Sequence, residues 1–238
     1  MKLSRATALK IHYLLDQCLP PFLRDSRWFM RLPFHFLYKD RAETFLTFKE
    51  KVYDLSEEAF VETYRFIEPV LMERATDLTA ASEKAILSHL LGSTVLEVGC
   101  GKGLLAKQMA DTGRSVSGID IVIDPSLRAR YPQIQFFEGA AECLPFDDGT
   151  FDTVVCAHTL EHVRQFHQSL RELRRVAKRR LIIIVPKQRP YRFTFDLHLR
   201  FFPYPHSFLA AVGGSGTCRD VGGDLFYVEE RSATYVSA

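Results

Sequence analysis

The run Val95-Leu96-Glu97-Val98-Gly99-Cys100-Gly101-Lys102-Gly103 decides how this chain folds. Thr94–Val98 reads as a buried strand, three glycines follow it, and Leu104–Thr112 continues with helical spacing. Glycine tolerates positive φ and lets a ligand approach the backbone, while a helix N-terminus offers amide N–H groups. Alone, such a loop indicates a nucleotide-like ligand. The spacing is G-x-G-x-G, because Leu104 stands where the dinucleotide pattern has its last glycine. Glu97 lies two residues before Gly99, where a carboxylate at a strand end can receive an amine. Asp120 ends the next strand, 17 residues beyond Gly103, placed to accept both ribose hydroxyls. A ligand with an ammonium, a ribose and no required pyrophosphate fits better than a nicotinamide dinucleotide.

Outward from this loop, β-rich runs alternate with helical ones. Ser115–Asp120, Gln133–Glu138, Phe151–Ala157 and Leu181–Val185 read as strands; Ser82 caps a helix through Leu91, and Arg164–Lys178 is a further helix. Such alternation makes βαβ units and a parallel sheet, so the fold class is α/β. Thr217–Val221 and Leu225–Glu229 form an antiparallel hairpin across Gly222–Gly223–Asp224. Residues 1–80 contain no glycine and no convincing strand, and read as helices joined at Pro20–Pro21, Pro33 and Pro69. The expected organisation is a helical N-terminal cap or lid over 1–81 and an α/β domain over 82–238, with an aromatic substrate-loop insertion at about 187–212. The basic residues closing the helix, Arg171, Arg174, Arg175 and Lys178, read as a solvated face.

The 238 residues are 47% apolar and 25% charged, which is globular composition. Net charge is +2, so no bulk field demands nucleic acid as a partner. No apolar run approaches the roughly 20 residues of a membrane-spanning helix. The five cysteines are scattered without a C-x-x-C pair, and Lys2, Arg5 and Lys10 precede no apolar leader segment. These features predict a soluble, cytoplasmic protein in a reducing compartment.

The segment Glu97-Val98-Gly99-Cys100-Gly101-Lys102-Gly103 resembles the first motif of class I S-adenosylmethionine-dependent methyltransferases. A second block resembles the same family: Gly139-Ala140-Ala141-Glu142-Cys143-Leu144-Pro145-Phe146-Asp147-Asp148-Gly149-Thr150-Phe151-Asp152, with Leu160-Glu161-His162-Val163 beyond it. Its cadence is similar to the type 11 subgroup of quinone and small-molecule methyltransferases, and the likeness covers residues 82–187. The resemblance implies a Rossmann-like seven-stranded sheet ending in a reversed strand, with S-adenosylmethionine as cofactor. It implies that Gly99, Cys100, Gly101 and Gly103 wrap the methionine moiety, with Glu97 near its amino group. It further implies that Asp120 holds the ribose, Ile121 packs on the adenine, Ala141 and Glu142 line the adenine edge, and His158 sits beside the sulfonium. The family often has an aspartate where this chain has Ala140.

His158-Thr159-Leu160-Glu161-His162 matches H-x-x-E-H, but it falls on the turn after a strand, away from any metalloprotease helix. Some ubiquinone and small-RNA O-methyltransferases use E-x-x-E-H to bind a metal at a similar place; here His158 stands at the first glutamate's position, and no metal is assigned. An oxygen nucleophile calls for a base of near-neutral pKa, which makes His158 and His162 the candidates for catalysis.

Two stretches, Phe22–Phe48 and Tyr191–Phe208, are rich in aromatics. They could form an acceptor pocket, a membrane-surface patch or ordinary core. The resulting reading is an O-methyltransferase acting on a small, lipid-linked or glycan acceptor, with peripheral membrane contact open. An RNA or protein methyltransferase and a non-catalytic methyltransferase-like subunit are the alternatives.

Overall fold

A computed structural model describes residues 13–14, 18–71, 76–193 and 197–231, with side chains undescribed at 68–71. Lys2, Arg5, Lys10 and Phe195 lie outside the described residues, as does the side chain of Pro69. The chain divides into two compact units: Met1–Asp77 with Arg189–Phe201, and Leu78–Gln188 with Phe202–Ala238.

The first unit is helical: α1 (Pro21–Arg24), α2 (Arg27–Tyr38), a 3-10 turn (Lys39–Arg41), α3 (Ala42–Lys51) and α4 (Glu57–Leu71). Met30, Phe34 and Tyr38 recur every four residues on α2 and are buried. Tyr38 stacks on Phe45 of α3 at 4.0 Å between ring centroids, and Phe48 meets Phe60 and Tyr64 of α4. Pro33, expected to mark a turn, lies inside α2 instead. Phe34, the next residue, is fully buried, and its packing holds the helix across the proline.

The second unit carries the sheet. Its elements are α5 (Ala80–His89), β1 (Thr94–Val98), α6 (Leu104–Ala110), β2 (Ser115–Asp120), α7 (Ser126–Arg130), β3 (Gln135–Glu138), β4 (Phe151–Ala157), α8 (Phe166–Val176), β5 (Ala177–Pro186), α9 (Pro205–Val212), β6 (Thr217–Val221) and β7 (Asp224–Glu230). The seven strands run in the order β3-β2-β1-β4-β5-β7-β6. β1 to β5 are parallel, and β7 is antiparallel to both β5 and β6. This is the seven-stranded Rossmann-like sheet that the motifs imply.

Both sheet faces are covered, which is why the strands read as continuous apolar runs. Leu96, Val98, Val154, Cys156, Ile183 and Tyr227 pack with Leu170 and Leu173 of α8 and Phe208 of α9. The alternating residues Val95, Val155, Ile182 and Phe226 pack with Ile86 of α5 and Ala106 and Met109 of α6.

Two local expectations are corrected and one gains detail. Thr79, not Ser82, caps α5, its side chain accepting from the Ser82 amide; Ser82 is itself buried and engaged elsewhere. The segment expected as an insertion contains α9, started by Pro205 and a Tyr204–Ser207 capping box. Arg174 and Arg175 are not a solvated face. Arg174 forks onto Glu229 at 2.7–3.1 Å, and Arg175 bonds the carbonyls of Leu144 and Phe146 while pairing with Glu172.

Candidate active site

In a parallel sheet flanked by helices, the carboxyl ends of the strands meet where strand order reverses, and ligands bind there. Here the reversal falls between β1 and β4, which lie side by side. The edge gathers Glu97 and the glycine loop after β1, Asp120 and Ile121 at the end of β2, Gly139–Glu142 after β3, and His158–His162 after β4. The Gly139 amide donates to the Asp120 carbonyl at 2.8 Å and ties the second motif to the end of β2.

The loop is built so that only glycine fits at two of its turns. Gly99 has φ +77°, and a Cβ there would stand 1.9 Å from Thr159 Oγ1 on the β4 turn. Gly103 has φ +68°, and its Cβ would meet the Phe136 ring at 2.9 Å. The loop amides are already engaged by the protein. Gly99 and Cys100 both donate to the Ile119 carbonyl, Gly101 to Asp120 Oδ2 at 2.8 Å, and Gly103 to the Cys100 carbonyl. A phosphate cradle needs such N–H groups free. This loop offers close backbone approach rather than anion binding, which fits the reading against a dinucleotide.

Glu97 stands out chemically. It is buried at 4% exposure, one carboxylate oxygen accepts from the Ala106 amide, and Oε2 has no hydrogen-bond partner. Burial pushes its pKa well above the ordinary value, outweighing the Ala106 hydrogen bond, and the nearby Asp120 carboxylate adds to the rise. An unpartnered buried carboxylate oxygen costs free energy unless a donor arrives. An ammonium on a ligand held by the loop would supply that donor. Asp120 Oδ2 accepts from the Gly101 amide and Oδ1 lies 3.4 Å from the Val122 amide, which fixes the carboxylate at the end of β2. Ile121 is half-buried, Ala141 is buried and Glu142 is half-buried. Gln168 of α8 donates to the Glu142 carbonyl at 2.9 Å, and the Arg175–Glu172 pair pins the following turn. The Ala140 carbonyl accepts from the Cys143 amide, so this position shapes a turn. The Cys100 thiol is buried against Gly118, and burial raises its pKa.

At the end of β4 the backbone is strained: His158 adopts φ +50°, a region costing a non-glycine residue about 1–3 kcal/mol. The strain aims the imidazole between two buried carboxylates, with Nδ1 3.5 Å from Glu161 and Nε2 3.4 Å from Asp224. Burial alone would lower the His158 pKa, but hydrogen bonding and charge from Asp224 and Glu161 outweigh it and raise it to about 10. At neutral pH this histidine is an imidazolium. Ser82 donates to Asp224 at 2.7 Å, and Thr79 lies 2.9 Å from the Ser82 hydroxyl. His162 is more open, with 23% of its side chain exposed and Nε2 4.0 Å from Glu161.

Asp224, Ser82 and Thr79 were not among the residues the motifs single out. Asp224 reads as part of a hairpin turn. It reaches the site because β7 is antiparallel, which sets its first residue opposite Pro186 at the carboxyl end of β5. Asp152, inside the second motif, lies at the opposite end of the sheet, where it accepts from the Ser93 and Thr94 amides. Its carboxyl is held below the usual range, chiefly by the Ser93 amide.

Residues 96–185 match the family model described as a methyltransferase domain. Ubiquinone biosynthesis O-methyltransferase from Paraburkholderia xenovorans is 41% identical over 85 residues, covering 33% of this chain and 37% of that protein. The chain thus aligns with little more than a third of that relative's length. Among solved structures, 1,6-didemethyltoxoflavin-N1-methyltransferase from Burkholderia thailandensis, with 1,6-didemethyltoxoflavin and S-adenosylhomocysteine bound, has a TM-score of 0.57 at 21% identity, over 74% of this chain and 86% of that one. A SAM-dependent methyltransferase from Aquifex aeolicus has a TM-score of 0.53 at 20% identity, over 70% and 96%. These two share the fold. Residues 96–185 of the sheet unit thus match a methyltransferase domain, and this segment is similar to class I S-adenosylmethionine-dependent methyltransferases.

Proposed function

We propose that this protein transfers a methyl group from S-adenosylmethionine to a hydroxyl oxygen of a small acceptor, lipid-linked or glycan in character. The observation that carries the cofactor reading is the buried Glu97 Oε2, which lacks a partner beside a loop whose amides are already engaged. S-adenosylmethionine, when bound, supplies an electrophilic methyl group on a sulfonium. Glu97 would accept its ammonium, Gly99, Cys100, Gly101 and Gly103 would let the methionine chain lie on the backbone, and Asp120 would take the ribose hydroxyls. Ile121 would pack on the adenine, with Ala141 and Glu142 along its edge.

Displacement at a methyl carbon depends mainly on alignment, so holding the acceptor oxygen in line is most of the work. His162 is the proposed base: it would take the hydroxyl proton as the oxygen gains the methyl group. His158 is the proposed positioning residue, because a group held as imidazolium at neutral pH is a poor proton acceptor. Oxygen rather than nitrogen as the acceptor atom is supported by His162 as a base and by the O-methyltransferase named among the relatives.

The test is methyl transfer from isotope-labelled S-adenosylmethionine to a panel of phenolic, polyprenyl and sugar hydroxyls, with products identified as ethers by mass. His162→Ala is expected to lower kcat by about 10²-fold or more while cofactor affinity holds. Labelled products bearing N-methyl groups only would overturn the oxygen assignment.

A further inference from the structure

The helical unit contains a helix that is apolar on two sides. One side of α2, Met30, Phe34 and Tyr38, is buried. A second stripe, Trp28, Leu32 and Phe36, also recurs every four residues, and its side chains stand 78%, 72% and 74% exposed. Phe22 on α1 is 75% exposed as well. A helix that is apolar on opposite sides belongs in a protein core or at a membrane. Large contiguous apolar surface of this kind marks an interaction site.

The charges beside the stripe indicate which partner fits. Arg27, Arg31 and His35 form the adjacent row, and α2 contains no acidic residue. Glu43 of α3 serves this whole row: Arg27 donates to it at 2.8 Å, and Arg31 and His35 lie 3.5 and 3.6 Å away. One carboxylate against two guanidinium groups leaves positive charge over. Residues 27–43 hold Arg27, Arg31, Lys39 and Arg41 against Asp40 and Glu43, a net charge of +2. Tryptophan, leucine and phenylalanine beside a basic row are the composition of a helix lying in the plane of a lipid headgroup layer.

We propose that α2 docks on an anionic lipid bilayer, with Trp28, Leu32 and Phe36 entering the headgroup–acyl boundary and Arg27 and Arg31 meeting lipid phosphates. No helix among the described residues is long and apolar enough to cross a membrane, so contact through this helix would be peripheral. The docking bears on the lipid-linked reading of the acceptor, yet it requires neither methyl transfer nor cofactor.

Trp28 is the only tryptophan in the chain, so its emission reports on this surface alone. The full chain is titrated with phosphatidylcholine vesicles with and without phosphatidylglycerol, and with brominated acyl chains. The expected result is a blue shift on the anionic vesicles, quenching by the bromines, and weakening at high salt. Leu32→Ser with Phe36→Ser should weaken binding at least about tenfold. Arg27→Gln with Arg31→Gln should remove most of the preference for anionic lipid, again about tenfold. Unchanged far-ultraviolet circular dichroism and S-adenosylmethionine binding would show that the variants fold; if the serine pair does not fold, the arginine pair and the bromine quenching carry the test. An unshifted emission at vesicle excess would overturn the proposal. So would equal binding to both vesicle types, or a blue shift that grows with protein concentration without vesicles, which would assign the stripe to a second copy of the chain. Cofactor binding is measured separately, so loss of one result leaves the other standing.

Discussion

Both units bury large apolar side chains, but they differ in how many they leave at the surface. In the sheet unit the aromatics are taken inside: Phe166, Phe202, Phe208, Phe226 and Tyr227 are all buried, and Tyr204 is the one large apolar residue there that is exposed among those described. In the helical unit Tyr13, Leu14, Phe22, Trp28, Leu32, Phe36, Tyr53 and Phe66 are exposed. Polar groups show the reverse. The sheet unit buries Glu97, Glu161, Asp224 and Glu229, whereas Glu43 and Glu50 of the helical unit stay at the surface and pair with arginines. Buried charge is costly and is kept where chemistry or ligand binding needs it. Exposed apolar surface is kept where something else covers it. On the proposed reading, one unit is organised around a reaction site and the other around a docking surface.

The largest effect expected from breaking this contrast is at the glycine loop. Gly99→Ala places a methyl group on Thr159 and strains a left-handed backbone, so cofactor binding should be lost and stability should fall by about 3 kcal/mol or more, read by thermal unfolding. Next is the buried cluster. Asp224→Ala removes one of the two carboxylates that hold His158 and should cost about 2–4 kcal/mol in denaturant unfolding. The same cluster has a pH signature. The folded-state pKa of His158 is raised, so its contribution is full below about 6.5 and fades as pH rises through about 10. The stability of the parent protein should therefore decline more between those values than that of His158→Gln. The smallest effect is expected in the helical unit: Leu32→Ser, 72% exposed, should stay within about 0.5 kcal/mol of the parent. A large loss there would erase the contrast.

Much of the sheet unit was legible because glycine punctuation and short continuous apolar runs coincide. β1, β2, β4 and β6 fall where the sequence predicts them. β5 starts at Ala177 rather than Leu181, since Lys178 and Arg179 look like a helix end yet lie in the strand, at an irregularity in its register with β4 and with their side chains exposed. β3 starts at Gln135, two residues after its expected start. α7 spans five residues and is too short to show a helical period. Glu97 and Asp120 could be placed at the site by spacing alone. Asp224 could not, because its position depends on the antiparallel return of β7, a long-range pairing without a local signal. The outward stripe of α2 was hidden for another reason. Aromatics at every position of a helix turn look the same in sequence whether they face a core or solvent, and only the packing of Phe34 and Tyr38 shows which row is left outside.

The central claim is that Glu97 waits for an ammonium. It is tested most directly by calorimetric titration of the full chain with S-adenosylmethionine in two buffers of different ionisation enthalpy. The free carboxyl is held well above its ordinary pKa and a bound ammonium would draw it back down, so binding should release protons and weaken as pH falls. Glu97→Gln should abolish the proton release and reduce affinity on the order of 10²-fold. Binding with no buffer dependence, and unaffected by Glu97→Gln, would contradict the account.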